Sequence, residues 1–191
     1  MQALNVELLQ WMAAGQEPTP WLLLAACVLA RGGATLCGVI TAWVVWRCPR
    51  ERTHVLVAWI AAGVASLLSH ALAKHLGMPR PFVLDLTPTY IAHGASAAMP
   101  STHACVMATV AFVLLCKPTL RPVGAVLLAL AAATGWARIY VGVHFPFDIV
   151  AGFALATVIA GVCVAAQRAF RWAKTSSAVG HPASIVHGEQ P

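Results

Sequence analysis

Long apolar runs separated by short polar gaps dominate this chain, and their lengths set the first expectations. Residues 3–13 place Leu4, Leu8, Leu9 and Met12 at near-helical spacing, with Asn5, Glu7 and Gln10 between them. That pattern predicts a short amphipathic helix lying at a membrane surface. The run Gln16-Glu17-Pro18-Thr19-Pro20 ends it. Residues 21–46 form the first spanning candidate, and at the helical rise they would reach about 39 Å, more than the hydrocarbon core of a bilayer. Arg31-Gly32-Gly33 interrupts this run, which predicts a tilt or a local break. Arg31 either pairs inside the bundle or reaches an interface, or else it marks a functional site.

Further spans are predicted at 55–73, 101–116, 123–136 and 147–166. The third and fourth are short, and their place in the series is what makes them membrane helices rather than buried core helices. The expected fold is all-α: a polytopic membrane helix bundle of about five transmembrane helices plus an N-terminal interfacial helix. It forms a single domain over residues 1–174. Residues 175–191, polar and rich in Ser, Pro, Gly and His, read as a disordered cytoplasmic tail in which His181 and His187 are incidental.

Composition supports a bilayer as the solvent. Of 191 residues, 60% are hydrophobic and only 9% charged, too little charge to cover the surface of a soluble domain. The net charge of +6 could suggest a nucleic-acid partner, but its placement argues against one. Most of the basic residues fall in three polar gaps: Arg47, Arg50 and Arg52; Lys117 and Arg121; Arg168, Arg171 and Lys174. Short loops rich in Lys and Arg mark the cytoplasmic side, so the alternate gaps face outward. Cys27, Cys37, Cys48, Cys105, Cys116 and Cys163 are scattered without metal or disulfide spacing, and read as small buried hydrophobes. The first twenty residues hold Glu7 and Glu17 but no Lys or Arg, so no cleaved signal peptide is expected.

With that orientation, three polar clusters share the outer side: Lys74 with Arg80-Pro81; Pro100-Ser101-Thr102-His103; and Arg138, His144 and Asp148. Taken singly, each has an ordinary explanation as an interfacial anchor, a helix cap or a structural loop pair. Brought together on one face they suit phosphoryl transfer. Arg80 and Arg138 can give forked contacts to phosphate oxygens. Pro100-Ser101 opens a helix whose first-turn N–H groups point at an anion, and Ser101 adds a hydroxyl. His103 stands one turn further on, placed to protonate a departing oxygen. Asp148 four residues after His144 can fix the imidazole tautomer and leave the other nitrogen free to attack phosphorus. The loop 82–99, with Tyr90 and His93, is either an ordinary connection or a cover over a second phosphate.

These clusters resemble the signature of the type 2 phosphatidic acid phosphatase superfamily: Lys74...Arg80-Pro81, Pro100-Ser101-Thr102-His103 and Arg138-x5-His144-x3-Asp148. The wording of residues 80–82 and 137–148 is similar to that of its small bacterial undecaprenyl-diphosphate phosphatases. The resemblance implies His144 as nucleophile, Asp148 as its orienter and His103 as general acid and then base. It also implies Lys74, Arg80, Ser101, Thr102 and Arg138 as the phosphate cradle, with no metal and no cofactor. Two departures stand out. Thr102 replaces the usual Gly, and Lys74 lies one residue nearer Arg80 than the pattern has it, so that Ala73 holds the usual place.

The expected function is hydrolysis of undecaprenyl diphosphate through a phosphohistidine, at the outer face of a bacterial inner membrane. The expected partners are this lipid diphosphate and the membrane lipids. A phosphatidylglycerophosphate or lipid A phosphatase, or a lipid phosphotransferase, would use the same site. A transporter or scaffold that binds lipid phosphates is the non-enzymatic alternative, and the tautomer-fixed histidine argues against it.

Overall fold

The structure, a computed structural model, describes residues 2–179, and every regular element among them is helical. The helices are α1 (Gln2–Met12), α2 (Pro20–Arg47), α3 (Arg52–Leu76), α4 (Thr102–Leu115), α5 (Arg121–Tyr140) and α6 (Pro146–Val179). Segments built on α2, α3, α5 and α6 are long and apolar enough to cross a membrane, and α4 is a shorter apolar helix. Outward faces remain apolar: Leu24, Val39, Ile60, Leu67, Val158 and Val162 are all exposed. Trp21 and Trp46, also exposed, sit at the two ends of α2, where indole rings favour the bilayer interface. The chain is a membrane protein.

The bundle is organised around its shortest member. α4 packs against α3, α5 and α6, and Ala104, Cys105, Met107, Ala108, Val110, Ala111, Val113 and Leu114 are buried along it. Small residues let the backbones close in, as membrane helices do in place of hydrophobic segregation from water. Gly152 on α6 shows how tight this is. A Cβ there would lie 2.8 Å from the carbonyl of Ser101 and 3.2 Å from the amide of Cys105. Its 14 residues give α4 a length of about 21 Å, less than the ~30 Å hydrocarbon layer. The polar clusters meet at its N-terminus.

The boundaries depart from expectation in ways that matter. α2 runs unbroken through Arg31-Gly32-Gly33. Gly33 serves a helix crossing instead, because any Cβ there would collide with the side chain of Thr134 on α5. Arg31 is exposed on α2. α5 continues to Tyr140, which carries Arg138 in its last turn rather than in a loop. α6 extends to Val179, past position 175; residues 180–191, with His181 and His187, lie outside the described residues. α1 does more than rest on a surface. Leu9 is fully buried against Ala104, Ile139, Phe145 and Ile149, and Asn5 Oδ1 accepts from the Phe147 amide at 3.1 Å.

Candidate active site

A cavity of about 580 Å³ opens where α3, α4 and α5 meet the 77–101 loop, lined by His70, Ala73, Lys74, Arg80, His93, Ser96, Ala97, Pro100, Thr102, His103, Arg138 and His144. His144 precedes α6, and its position is fixed by a left-handed turn. Gly142 adopts φ 81°, and a Cβ there would strike the carbonyl of Pro88. The Val143 amide then donates to Arg138 O at 3.1 Å, closing the turn that leads into His144. Because α6 starts at Pro146, Asp148 lies in its first turn and reaches back.

The His144–Asp148 geometry settles the tautomer. Nδ1 of His144 is 3.2 Å from Oδ2 of Asp148, and the same oxygen accepts from the Phe145 amide at 2.8 Å. A carboxylate only accepts, so the imidazole proton sits on Nδ1 and the lone pair on Nε2. Two guanidiniums face that lone pair: Arg80 Nη1 at 3.1 Å and Arg138 Nη2 at 3.5 Å. Burial, reinforced by these cations, holds the His144 pKa well below its ordinary value. The ring therefore stays neutral and nucleophilic at pH values where a free histidine would be charged.

The two arginines are committed differently. Arg80 donates from Nε to Ser96 O at 2.8 Å, from Nη2 to Ser96 Oγ at 3.3 Å and to Ala97 O at 3.2 Å, and from Nη1 to Val143 O at 2.8 Å. It ties the long loop to the His144 segment. Arg138 donates from Nη1 to Ala30 O on α2 at 3.0 Å and approaches His93 Nε2 with Nη2 at 3.0 Å, while its buried Nε has no partner. Both are nearly inaccessible, 5% and 3% exposed, and Asp148 is 2% exposed. Two buried cations with one buried carboxylate leave a net positive, desolvated pocket, which favours a bound anion.

Ser101 is the residue before α4. Its amide donates to Asp148 O at 2.9 Å, which couples the start of α4 to the His–Asp pair, and its buried hydroxyl lacks a partner. Thr102, the departure from glycine, has its hydroxyl engaged by Ser69 Oγ of α3 at 3.1 Å. The extra side chain thus fastens α4 to α3 rather than obstructing the cavity. His103 is half-buried, one residue into α4, and lines the cavity.

Lys74 is exposed but lines the cavity beside Ala73 and His70. All eight expected site residues therefore cluster around the N-terminal end of α4, with Lys74 at the solvated margin. Sequence reasoning passed over His70 and Ser96 and left His93 open. Tyr90, coupled with His93 in the loop reading, is an anchor instead: its hydroxyl donates to Gly15 O at 2.6 Å.

Fold and site together define a helical membrane protein with a buried histidine–aspartate pair inside a cationic pocket. Residues 53–172 match the PAP2 superfamily, and the chain belongs to that family, which makes it a membrane phosphoric ester hydrolase. It is 30% identical over 169 residues to YbjG of Escherichia coli (strain K12), provisionally named an undecaprenyl-diphosphatase, covering 87% of this chain and 83% of that protein. It is 31% identical over 110 residues to the undecaprenyl-diphosphatase BcrC of Bacillus subtilis (strain 168), covering 58% and 56%. Two solved structures share the fold. One is a PAP2-type phosphatidylglycerolphosphate phosphatase from Bacillus subtilis (TM-score 0.64, 22% identity, 87% and 86% covered). The other is Aquifex aeolicus LpxE (TM-score 0.68, 21% identity, 84% and 94% covered).

Proposed function

We propose that this chain hydrolyses undecaprenyl diphosphate to the monophosphate through a phosphohistidine on His144. The observation that carries the reading is the convergence of Arg80 and Arg138 on Nε2 of His144, with Asp148 holding the opposite ring nitrogen. In the first step the Nε2 lone pair attacks the terminal phosphorus. The bond from that phosphorus to the bridging oxygen breaks, and His103 gives that oxygen its proton as the lipid monophosphate leaves. Arg138 neutralises the charge that spreads over the phosphoryl oxygens in the transition state, Arg80 steadies the nucleophile's surroundings, and Ser101 and the first-turn amides of α4 add donors. Water then attacks the phosphohistidine, His103 takes its proton, and inorganic phosphate departs with the nucleophile restored.

The substrate assignment rests on the relatives that carry the undecaprenyl-diphosphatase name and on the depth of the pocket. The start of α4 lies roughly 9 Å beneath one edge of the hydrocarbon layer if its inner end meets the other. That depth suits a phosphate delivered on a membrane-held chain. Clustering of Lys and Arg at the opposite end supports a cavity that opens on the outer face. In one detergent, kcat/KM for undecaprenyl diphosphate should exceed those for phosphatidylglycerol phosphate and phosphatidic acid by about tenfold or more. Preference for either glycerolipid would overturn the substrate and keep the phosphatase chemistry.

A further inference from the structure

His93 lies in the 77–101 loop, 45 residues from Arg138 and outside every motif that identifies the site. Both of its ring nitrogens are engaged. Nδ1 is 3.0 Å from the carbonyl oxygen of Gly94, and Nε2 is 3.0 Å from Nη2 of Arg138. A carbonyl can only accept and a guanidinium can only donate, so the proton is on Nδ1 and the lone pair on Nε2. His93 is therefore a neutral acceptor aimed at a cation. Its ring stands edge to face with His144, centroids 6.4 Å apart.

Arg138 Nη2 is shared between two imidazole lone pairs, at 3.0 Å to His93 and 3.5 Å to His144. On its other side Nη1 is fastened to Ala30 O. Without an acceptor at His93, a flexible cationic side chain would gain most by closing on the remaining lone pair, Nε2 of His144, which is the proposed nucleophile. A nucleophile whose lone pair is tied up in a strong hydrogen bond attacks more slowly, and a guanidinium pulled onto it offers fewer donors to phosphate.

We propose that His93 is a positioning residue: its Nε2 draws the Arg138 guanidinium off the His144 lone pair and holds its unpaired Nε edge ready for a phosphoryl group. The inference rests on the reading of Arg138 as the phosphate-holding arginine. Charged and titratable neighbours acting on His93 are Arg138 from α5, Arg80 from the loop, His144 before α6 and His103 from α4. Burial and the two arginines keep His93 below its ordinary pKa, consistent with the neutral acceptor that the geometry requires.

The test uses the full chain in detergent, with kcat/KM for undecaprenyl diphosphate and a melting curve for each variant. His93→Ala should lower kcat/KM by about tenfold, chiefly through kcat, the effect of one lost orienting hydrogen bond in the site. His93→Gln, whose amide oxygen can accept from Nη2, should recover to within about threefold of the parent at the same melting temperature. In an Arg138→Lys background His93→Ala should change kcat/KM less than about twofold, because the group it positions is gone. Equal losses in His93→Ala and His93→Gln, or losses that add fully to Arg138→Lys, would overturn the positioning role. An Arg138→Lys variant as active as the parent would instead overturn the reading of Arg138 on which this inference rests.

Discussion

Cations gather at both ends of this bundle, and the two ends hold them in opposite ways. At the end where α2 and α4 finish, Arg52 Nε donates to Val45 O at 2.9 Å and Arg121 Nε to Leu115 O at 3.3 Å, both from exposed side chains. Lys117 pairs with Glu51 there. These groups cap the carbonyl ends of α2 and α4 and complement their dipoles while water solvates the charge. At the end where α4 begins, Arg80 and Arg138 are buried and face one nitrogen of His144, whose other ring nitrogen meets Asp148. The larger number of cations is at the solvated end, so charge count does not set which end favours an anion. Desolvation does: a hydrated arginine is already satisfied, whereas a buried one beside another buried one gains strongly from an anion.

The largest effect should follow from removing the group on which the buried cations converge. His144→Ala should lower kcat by about a thousandfold or more, since it deletes the covalent route rather than a contact. Near-parental turnover would dissolve the distinction between the two ends. Next come the arginines themselves. Arg138→Ala should cost about a hundredfold in kcat/KM with a small change in melting temperature. Arg80→Ala should lower both activity and melting temperature, because it also releases Ser96, Ala97 and Val143. Identical profiles would show that the two arginines are not divided between phosphate and frame.

Lys74→Ala should cost less than about tenfold, as expected for an exposed cation at the cavity margin. A loss equal to that of Arg138→Ala would place Lys74 among the essential phosphate ligands despite its shifted spacing. The smallest effect belongs to the solvated end. Lys117→Ala should leave kcat/KM within about twofold and stability within about 1 kcal/mol, and a large loss of activity there would end the contrast.

What could be read beforehand follows from sequence distance. The His144–Asp148 pair was legible because four residues at a helix start bring two side chains to one side. Arg138 was legible by its spacing to His144. The run Arg31-Gly32-Gly33 misled because a glycine in an apolar helix marks equally a break or a close crossing, and only the position of Thr134 on α5 decides between them. The contact of His93 with Arg138 and that of Asn5 with Phe147 join residues 45 and 142 positions apart. No local period encodes them. The same holds for Thr102, whose hydroxyl makes sense only once Ser69 of α3 is beside it.

The central claim is that His144 carries the phosphoryl group, and trapping tests it most directly. The His103→Ala variant is mixed with undecaprenyl diphosphate, quenched in alkali, digested and mapped by mass spectrometry. Slow hydrolysis without the His103 base should leave an acid-labile, alkali-stable phosphoryl group on the peptide containing His144, and the His103→Ala/His144→Ala double variant should show none. A phosphoryl group on another residue, or parental turnover with no phosphorylated protein at any time, would contradict the account.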